Sequence, residues 1–395
     1  MSESILHPGQ VVKDFEIERR IGSGGMADLF LARDLLLRRE VVIKVLNPRF
    51  CKREDFIQHF LREARIQANL ENPHIVQVLS IFFEKKLPCI VMQHVEGTDL
   101  ERVIKKAKQL KLEKGEEGAL SVERAIHIFM EMLEGIGFVH KYKIIHGDIK
   151  PANILLNEQG RVKVADFGLS FLLSSHREKE FEPLSGGTPY YMSPEQLLNE
   201  EVDIRSDIYA LGVTFFYMIT GRFPLGDIKK MTGLIEAHLE GSPEGPAEIL
   251  DAHSTISPGI KAAILKALDR HPDKRHQSCL EFSLAIKEGR PPEMYSELLR
   301  LSLLTKENIT SVERAYLDRI SESKGLGREF AKSLEENIRR DLGLPALGPA
   351  GEIRVDASGV FGEKSLDREA EPGEMEKTEV GGVGISDSVK TLEME

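Results

Sequence analysis

The sequence predicts an α+β chain in which a small antiparallel sheet carrying one helix precedes a larger, mainly helical lobe. Three observations predict it. Short runs rich in β-branched residues, bounded by glycine or polar turns, dominate from Phe15 to about Met92. After Gly97 the apolar residues recur at helical spacing instead. The composition, 41% apolar and 30% charged over 395 residues, is that of a globular chain long enough for two domains or one bilobed domain with appendages. The chain then divides into a short extension (residues 1–14), a sheet lobe (15–95), a helical lobe (96–290), a small helical region (291–345) and a tail (346–395).

In order, "FEIERRIG", "DLFLARDL" and "EVVIKVL" read as the first strands, and "IVQVLSIFFE" and "LPCIVMQHV" as the later ones. Between them, "REDFIQHFLREARIQANL" sets Phe56, Phe60, Ala64 and Ile66 on an approximate helical repeat, a half-buried helix. "SVERAIHIFMEMLEGIGFVHKY" lines up Ile126, Phe129, Met130, Leu133 and Ile136 as a core-facing stripe, with Ser121 placed to cap the helix. The charged "KKAKQLKLEKGEEG" before it reads as a solvated helix end and loop. Ile208 to Gly221 is apolar but shorter than the roughly 20 residues that span a bilayer, so it reads as a buried core helix.

Beyond Pro291, Thr310 and Glu313 are spaced as a capping box ahead of Val312, Tyr316 and Ile320. "REFAKSLEENIRRDLG" repeats the pattern with Phe330, Leu334, Ile338 and Leu342, ended by Gly343 and Pro345. From Gly348 onward there are twelve Asp/Glu against five Lys/Arg and few apolar residues, a composition expected to stay disordered.

The formal net charge of -11 argues against a nonspecific nucleic-acid binder, so no nucleic acid is expected as a partner. Cys51, Cys89 and Cys279 lie far apart without metal-like spacing, which points away from disulfides and zinc and toward a reducing compartment. The N-terminus has no basic region leading into an apolar core. A cytoplasmic protein with no membrane contact is the expectation.

Chemistry gathers in four places. In "IGSGGMADLF", Gly22, Gly24 and Gly25 between two strands would let backbone amides approach a polyphosphate, although a glycine-rich hairpin is more often just a turn. Lys44 ends the apolar strand "VVIK"; either it is a surface lysine that snorkels to solvent, or its stem is buried and its ammonium needs an anion, for which Glu63 on the next helix is the natural choice. "HGDIKPAN" followed by "VADFGLS" carries most weight. Asp148, Lys150, Asn153 and Asp166 recur at the spacing of a phosphoryl-transfer centre: a carboxylate to orient a hydroxyl, an ammonium on the transferring phosphate, and an amide plus a carboxylate on magnesium.

On these motifs the chain resembles the protein kinase superfamily, whose motif set is a standard template for phosphoryl transfer, and most closely the bacterial Ser/Thr kinases of the eukaryotic-like (Hanks) type. The likeness covers about Phe15 to Ala285. It implies the bilobed kinase fold, ATP and Mg2+ as cofactors and protein substrates. By the same resemblance, the nucleotide-covering loop is Ile21, Gly22, Ser23, Gly24, Gly25, Met26, Ala27, Asp28 and Leu29. Lys44 would hold the α- and β-phosphates and pair with Glu63; Met92 would guard the back of the adenine pocket, with Gln93 to Val95 as the hinge. Asp148 is similar to the catalytic base and Lys150 to the γ-phosphate contact. Thr188 would lie between them, and Asn153 and Asp166 would be the magnesium ligands. "GTPYYMSPE" resembles the end of the activation segment, with Ser193 where Ala is usual. Glu195 would pair with Arg275, and Asp207 would brace the catalytic loop.

Two departures stand out. Ala27 replaces the third loop glycine, placing a methyl at the expected tip of the loop. Gly147 replaces the arginine that normally holds a phosphorylated activation segment. His-Gly-Asp also occurs in small-molecule phosphotransferases of the aminoglycoside and choline kinase type, which look like "HGDLHPGN". Lys150, "GTPYYMSPE" and Ser206 to Gly212 decide for a protein kinase. The rival from another class is a pseudokinase or scaffold that binds nucleotide and partners; Lys44, Glu63, Asp148, Asn153 and Asp166, all present, weigh against it. Without the arginine, basal activity or a switch by a regulatory partner acting on the Glu63 helix or at the C-terminal helical region is expected. The acids Glu178, Glu180 and Glu182 lie in the stretch where the phosphate would be, although such a run is more often simply a solvated loop, and Ser185 would be an alternative phosphosite. Thr378, Ser386, Ser388 and Thr391 in the tail could be autophosphorylated to dock a phosphopeptide-binding protein.

Overall fold

In the computed structural model, residues 6–345 are described apart from residues 25, 117, 168–187, 227, 229–230, 241–244 and 305–308. The expectations for Glu178, Glu180, Glu182, Ser185 and the tail sites therefore lie outside the described residues. Two compact units, residues 1–338 and residues 339–395, divide the chain.

The first unit opens with β1 (Val11–Val12), β2 (Phe15–Ser23), β3 (Ala27–Asp34) and β4 (Arg39–Leu46), then α1 (Glu54–Ala68), β5 (Val78–Glu84) and β6 (Leu87–Gln93). The strands form an antiparallel sheet in the order β1-β2-β3-β4-β6-β5. Side chains alternate across a strand, so Val41, Ile43 and Val45 of β4 enter one core with Ile17, Phe30 and Val91. Val42 and Leu46 enter another with Phe56, Phe60 and Ala64 of α1. Lys44 shares that second face, which turns it toward α1. In α1 the sequence-predicted Ile66 is only half-buried, and Gln67 is buried instead, its Nε2 donating to the Val76 carbonyl at 2.7 Å. A buried amide is tolerated because that bond satisfies it.

A three-stranded sheet of β7 (Gly97–Asp99), β8 (Ile154–Asn157) and β9 (Val162–Val164) follows, amid helices α2 (Leu100–Glu113), α3 (Val122–Lys141), α4 (Pro194–Leu198), α5 (Ile204–Thr220), α6 (Met231–Glu240), α7 (Pro246–Asp251), α8 (Pro258–Ala267) and α9 (Cys279–Glu288). Ser121 caps α3, accepting from the Arg124 N–H. The apolar stretch from Ile208 lies in α5, buried along nearly its whole length, where Phe215 stacks on Phe129 of α3 at 4.2 Å. Gly212 lets α5 approach α8, since a Cβ there would come within 2.8 Å of Ala267. Among the described residues, no helix is long and apolar enough to cross a membrane. The lobes are stitched behind the cleft by Val76 N–H to Val164 O at 2.9 Å and Val164 N–H to His74 O at 2.8 Å.

α10 (Pro291–Leu304), α11 (Ser311–Ser323) and α12 (Arg328–Asp341) complete the chain's described helices. The Thr310–Glu313 capping box forms, and the predicted stripes face inward only in part: Ile338 is buried, and Ile320, Leu334 and Leu342 are half-buried. Val312 and Tyr316 are exposed, as is Phe330, while Leu317, Ser321, Ala331, Glu335 and Ile338 are buried. Glu335 accepts from both terminal guanidinium nitrogens of Arg314, at 2.6 and 2.8 Å, which satisfies its buried carboxylate. In the second unit, residues 339–345 close the last turn of α12, with Gly343 in the left-handed region at φ 70.

Candidate active site

The glycine-rich hairpin between β2 and β3 is tight. The Gly24 N–H donates to Ala27 O at 2.9 Å, so the turn closes before Ala27, which is the first residue of β3. The Ala27 methyl is therefore not at the loop tip: Met26 and Ala27 are buried in the α1-side core. Asp28 is also buried, in an ion pair with Arg20 at 2.5 Å that links β2 to β3. Ser23 and Gly24 are exposed, Ile21, Gly22 and Leu29 are half-buried, and Gly25 lies outside the described residues. Behind this hairpin Met92 is buried opposite Val42, and Gln93 and Val95 are half-buried at the joint between the lobes.

Lys44 has a different partner from the one expected. Its Nζ donates to Asp166 Oδ1 at 2.7 Å, and Glu63 makes no ion pair with it. Burial works against the ammonium, but the carboxylates of Asp166 and Glu63 outweigh it and raise the Lys44 pKa. Burial also disfavours charge on Asp166, yet Lys44 holds its carboxyl below the usual carboxylate range. Glu63 is left with burial dominant, which pushes its carboxyl up to about 8. Asp166 takes a left-handed backbone at φ 56, a strained conformation for a residue with a side chain.

The catalytic-loop motif folds into a compact polar cluster. Asp148 Oδ2 accepts from Lys150 Nζ at 2.7 Å and from Asn153 Nδ2 at 2.9 Å, and Asn153 Nδ2 also donates to the Asp148 carbonyl at 2.8 Å. Pro151 starts the 3-10 turn Pro151–Asn153 that sets Asn153 back toward Asp148. Thr188 opens another 3-10 turn, Thr188–Tyr191, with its side chain outside the described residues. Asn153, Lys150 and Asp148 are thus brought together, while Lys44 and Asp166 form the facing pair.

Two histidines that sequence reasoning passed over join these parts. His146 is fully buried, its Nε2 donating to Ala165 O at 3.1 Å and its Nδ1 accepting from the Asp148 N–H at 3.3 Å. Those partners demand a neutral ring, and burial holds its pKa below the ordinary histidine range. It also packs on Phe167, so the Asp148 and Asp166 loops share one anchor. His140 Nε2 bonds Asp207 Oδ2 at 2.8 Å. Asp207, as expected, braces the loop, accepting from the His146 and Gly147 N–H groups, each at 2.8 Å. Nothing in the sequence marked His140, because its partner lies 67 residues away.

The anchor of the activation segment is ionic. Arg275 donates bidentately to Glu195 at 2.7 and 2.8 Å, and Ser206 adds a third bond at 2.5 Å. Burial works against the carboxylate, but these donors outweigh it and hold its pKa below the usual range.

Set beside known proteins, residues 15–282 match the protein kinase domain family. The chain is 33% identical over 295 residues to serine/threonine-protein kinase PknB of Mycolicibacterium smegmatis, covering 72% of this chain and 45% of that protein. It is 32% identical over 296 residues to serine/threonine-protein kinase PrkC of Bacillus subtilis, covering 75% and 43%. The chain thus spans less than half the length of these relatives. The crystal structure of the PknI kinase domain of Mycobacterium tuberculosis superposes with a TM-score of 0.53 at 24% identity, over 72% of this chain and 100% of that one, a likeness of fold. With the match extending across both lobes and every motif described above, the chain belongs to the protein kinase family.

Proposed function

We propose that the protein is a serine/threonine protein kinase that transfers the γ-phosphate of ATP to protein hydroxyls, and does so without an arginine before the catalytic aspartate. The observation that carries the reading is the convergence of Asp148, Lys150 and Asn153 in one hydrogen-bonded cluster. The donor set fits magnesium, a hard cation that takes oxygen ligands. Asp166 is held ionised, and Asn153 spends its NH2 on Asp148, leaving Oδ1 as its accepting side. Asn153 and Asp166 would hold the ion, which when bound would neutralise charge on the phosphates. Asp148 would orient the acceptor hydroxyl and take its proton, and Lys150, already beside it, would neutralise the transferring group. Thr188 would help align the hydroxyl, a role taken from the family pattern. Lys44 would exchange Asp166 for phosphate oxygens and for Glu63.

The same reading places the protein in the cytoplasm, supported by three free cysteines. It assigns the C-terminal helices to a regulatory partner and the tail to a phosphopeptide-binding protein. Because Gly147 offers no cation, activity should not depend on activation-segment phosphate. The test is magnesium-dependent transfer from labelled ATP to a generic Ser/Thr protein and to the kinase itself, before and after phosphatase treatment, beside Asp148→Asn. Transfer that falls by a factor on the order of 10² or more in the variant is expected. Wild-type protein that binds nucleotide but transfers nothing would favour the scaffold instead.

A further inference from the structure

Gly147 and Ser193 both depart from the family pattern, and one side chain touches both. Gln196 Nε2 donates to the Gly147 carbonyl at 3.2 Å. Its Oε1 accepts from the Ser193 N–H at 3.0 Å and from the Ser193 hydroxyl at 3.2 Å. A backbone N–H can only donate and a carbonyl can only accept, so each neighbour separately requires the same orientation of the amide. Ser193 is fully buried. Its hydroxyl, absent from the usual alanine, supplies the second bond that pins Oε1.

Gly147 sits at φ 75, in the left-handed region that glycine reaches without the cost of a Cβ. Its N–H is gripped by Asp207 of α5 at 2.8 Å, and its carbonyl by Gln196 of α4. The carbonyl of Gly147 and the N–H of Asp148 lie in one rigid peptide plane. Whatever fixes that carbonyl therefore fixes the plane on which Asp148 is mounted. α4 is itself held by the buried Glu195–Arg275 pair, so the grip has a rigid base.

We propose that Gln196 is a positioning residue: by holding the Gly147–Asp148 peptide it ties the anchor of the activation segment to the catalytic loop, a neutral link in place of the missing arginine's phosphate-mediated one. This rests on the kinase reading above. Gln196→Glu isolates the effect, because glutamate is the preferred residue at this position of a capping box and still accepts from Ser193, but as a carboxylate it cannot donate to the Gly147 carbonyl. In the full chain, Gln196→Glu and Gln196→Ala are expected to lower kcat about tenfold, with KM for ATP changed by less than about twofold and melting temperature preserved in the glutamate variant. Ser193→Ala should give a smaller loss in the same direction. Amide hydrogen exchange at Gly147 and Asp148 should speed up in both Gln196 variants while α5 stays protected. Wild-type kcat in both overturns the proposal. Should the wild type itself transfer no phosphate, the kinase reading fails and exchange alone decides: faster exchange at these two amides in Gln196→Glu supports the positioning role, and unchanged exchange overturns it.

Discussion

Glu63 shows how a single residue can be identified by sequence and yet be misjudged in its surroundings. Its spacing from Lys44 marks it as the lysine's partner, but Lys44 bonds Asp166 at 2.7 Å and Glu63 stays half-buried with its carboxyl pushed up to about 8. A carboxyl whose folded pKa exceeds its unfolded value binds more protons in the native state between the two, so stability falls as pH rises from about 4.5 to about 8. Glu63→Gln should remove that slope. Melting temperature against pH is expected to be flatter in the variant across this window, with the variant the more stable of the two at pH 8 and above. Parallel curves would mean that Glu63 finds a partner in solution.

Among the elements, α4 and the turn Pro272–Lys274 that presents Arg275 form the most constrained joint. Both partners of the Glu195–Arg275 pair are nearly fully buried, at 4% and 1% exposure. Removing one leaves the other charged and dry. Arg275→Ala should therefore destabilise the protein by about 3–5 kcal/mol, read from urea unfolding. Arg275→Lys should recover only part of this, since an ammonium cannot repeat the bidentate geometry. This pairing was legible in sequence by resemblance. The inward faces of α11 and α12 were not. Val312, Tyr316 and Phe330 look like core residues at helical spacing, yet they are exposed, and Leu317, Ala331 and Glu335 are buried beside the predicted Ile338.

For the whole molecule, the parts that the proposed function assigns to nucleotide and metal come from both lobes: Lys44 and Met92 from the sheet, Asn153 and Asp166 from the helical side. Magnesium and ATP bound between them should stabilise the fold by linkage, about 2.7 kcal/mol at a ligand concentration a hundred times Kd. A rise in melting temperature with Mg-ATP that chelation of the metal largely removes is the expected result. Asp148→Asn should keep the rise while losing transfer, since in the proposed function Asp148 would act on the acceptor hydroxyl and not on the nucleotide. A rise that survives chelation would show nucleotide binding without the metal and weaken the assignment of Asn153 and Asp166.

The sequence by itself determined the succession β2, β3, β4, α1, β5 and β6, the apolar stripe of α3 and the buried helix α5, and it marked the residues proposed to carry phosphoryl-transfer chemistry. Those follow from local periodicity and from motifs whose members lie within a few residues of each other. Tertiary structure alone decided which polar groups meet: Lys44 with Asp166 rather than Glu63, Arg20 with Asp28, His140 with Asp207, and Gln196 with Gly147. Electrostatic and hydrogen-bond partners are chosen by distance in space, over separations as long as 122 residues. Spacing along the chain constrains such distances only where one helix or one turn spans the interval.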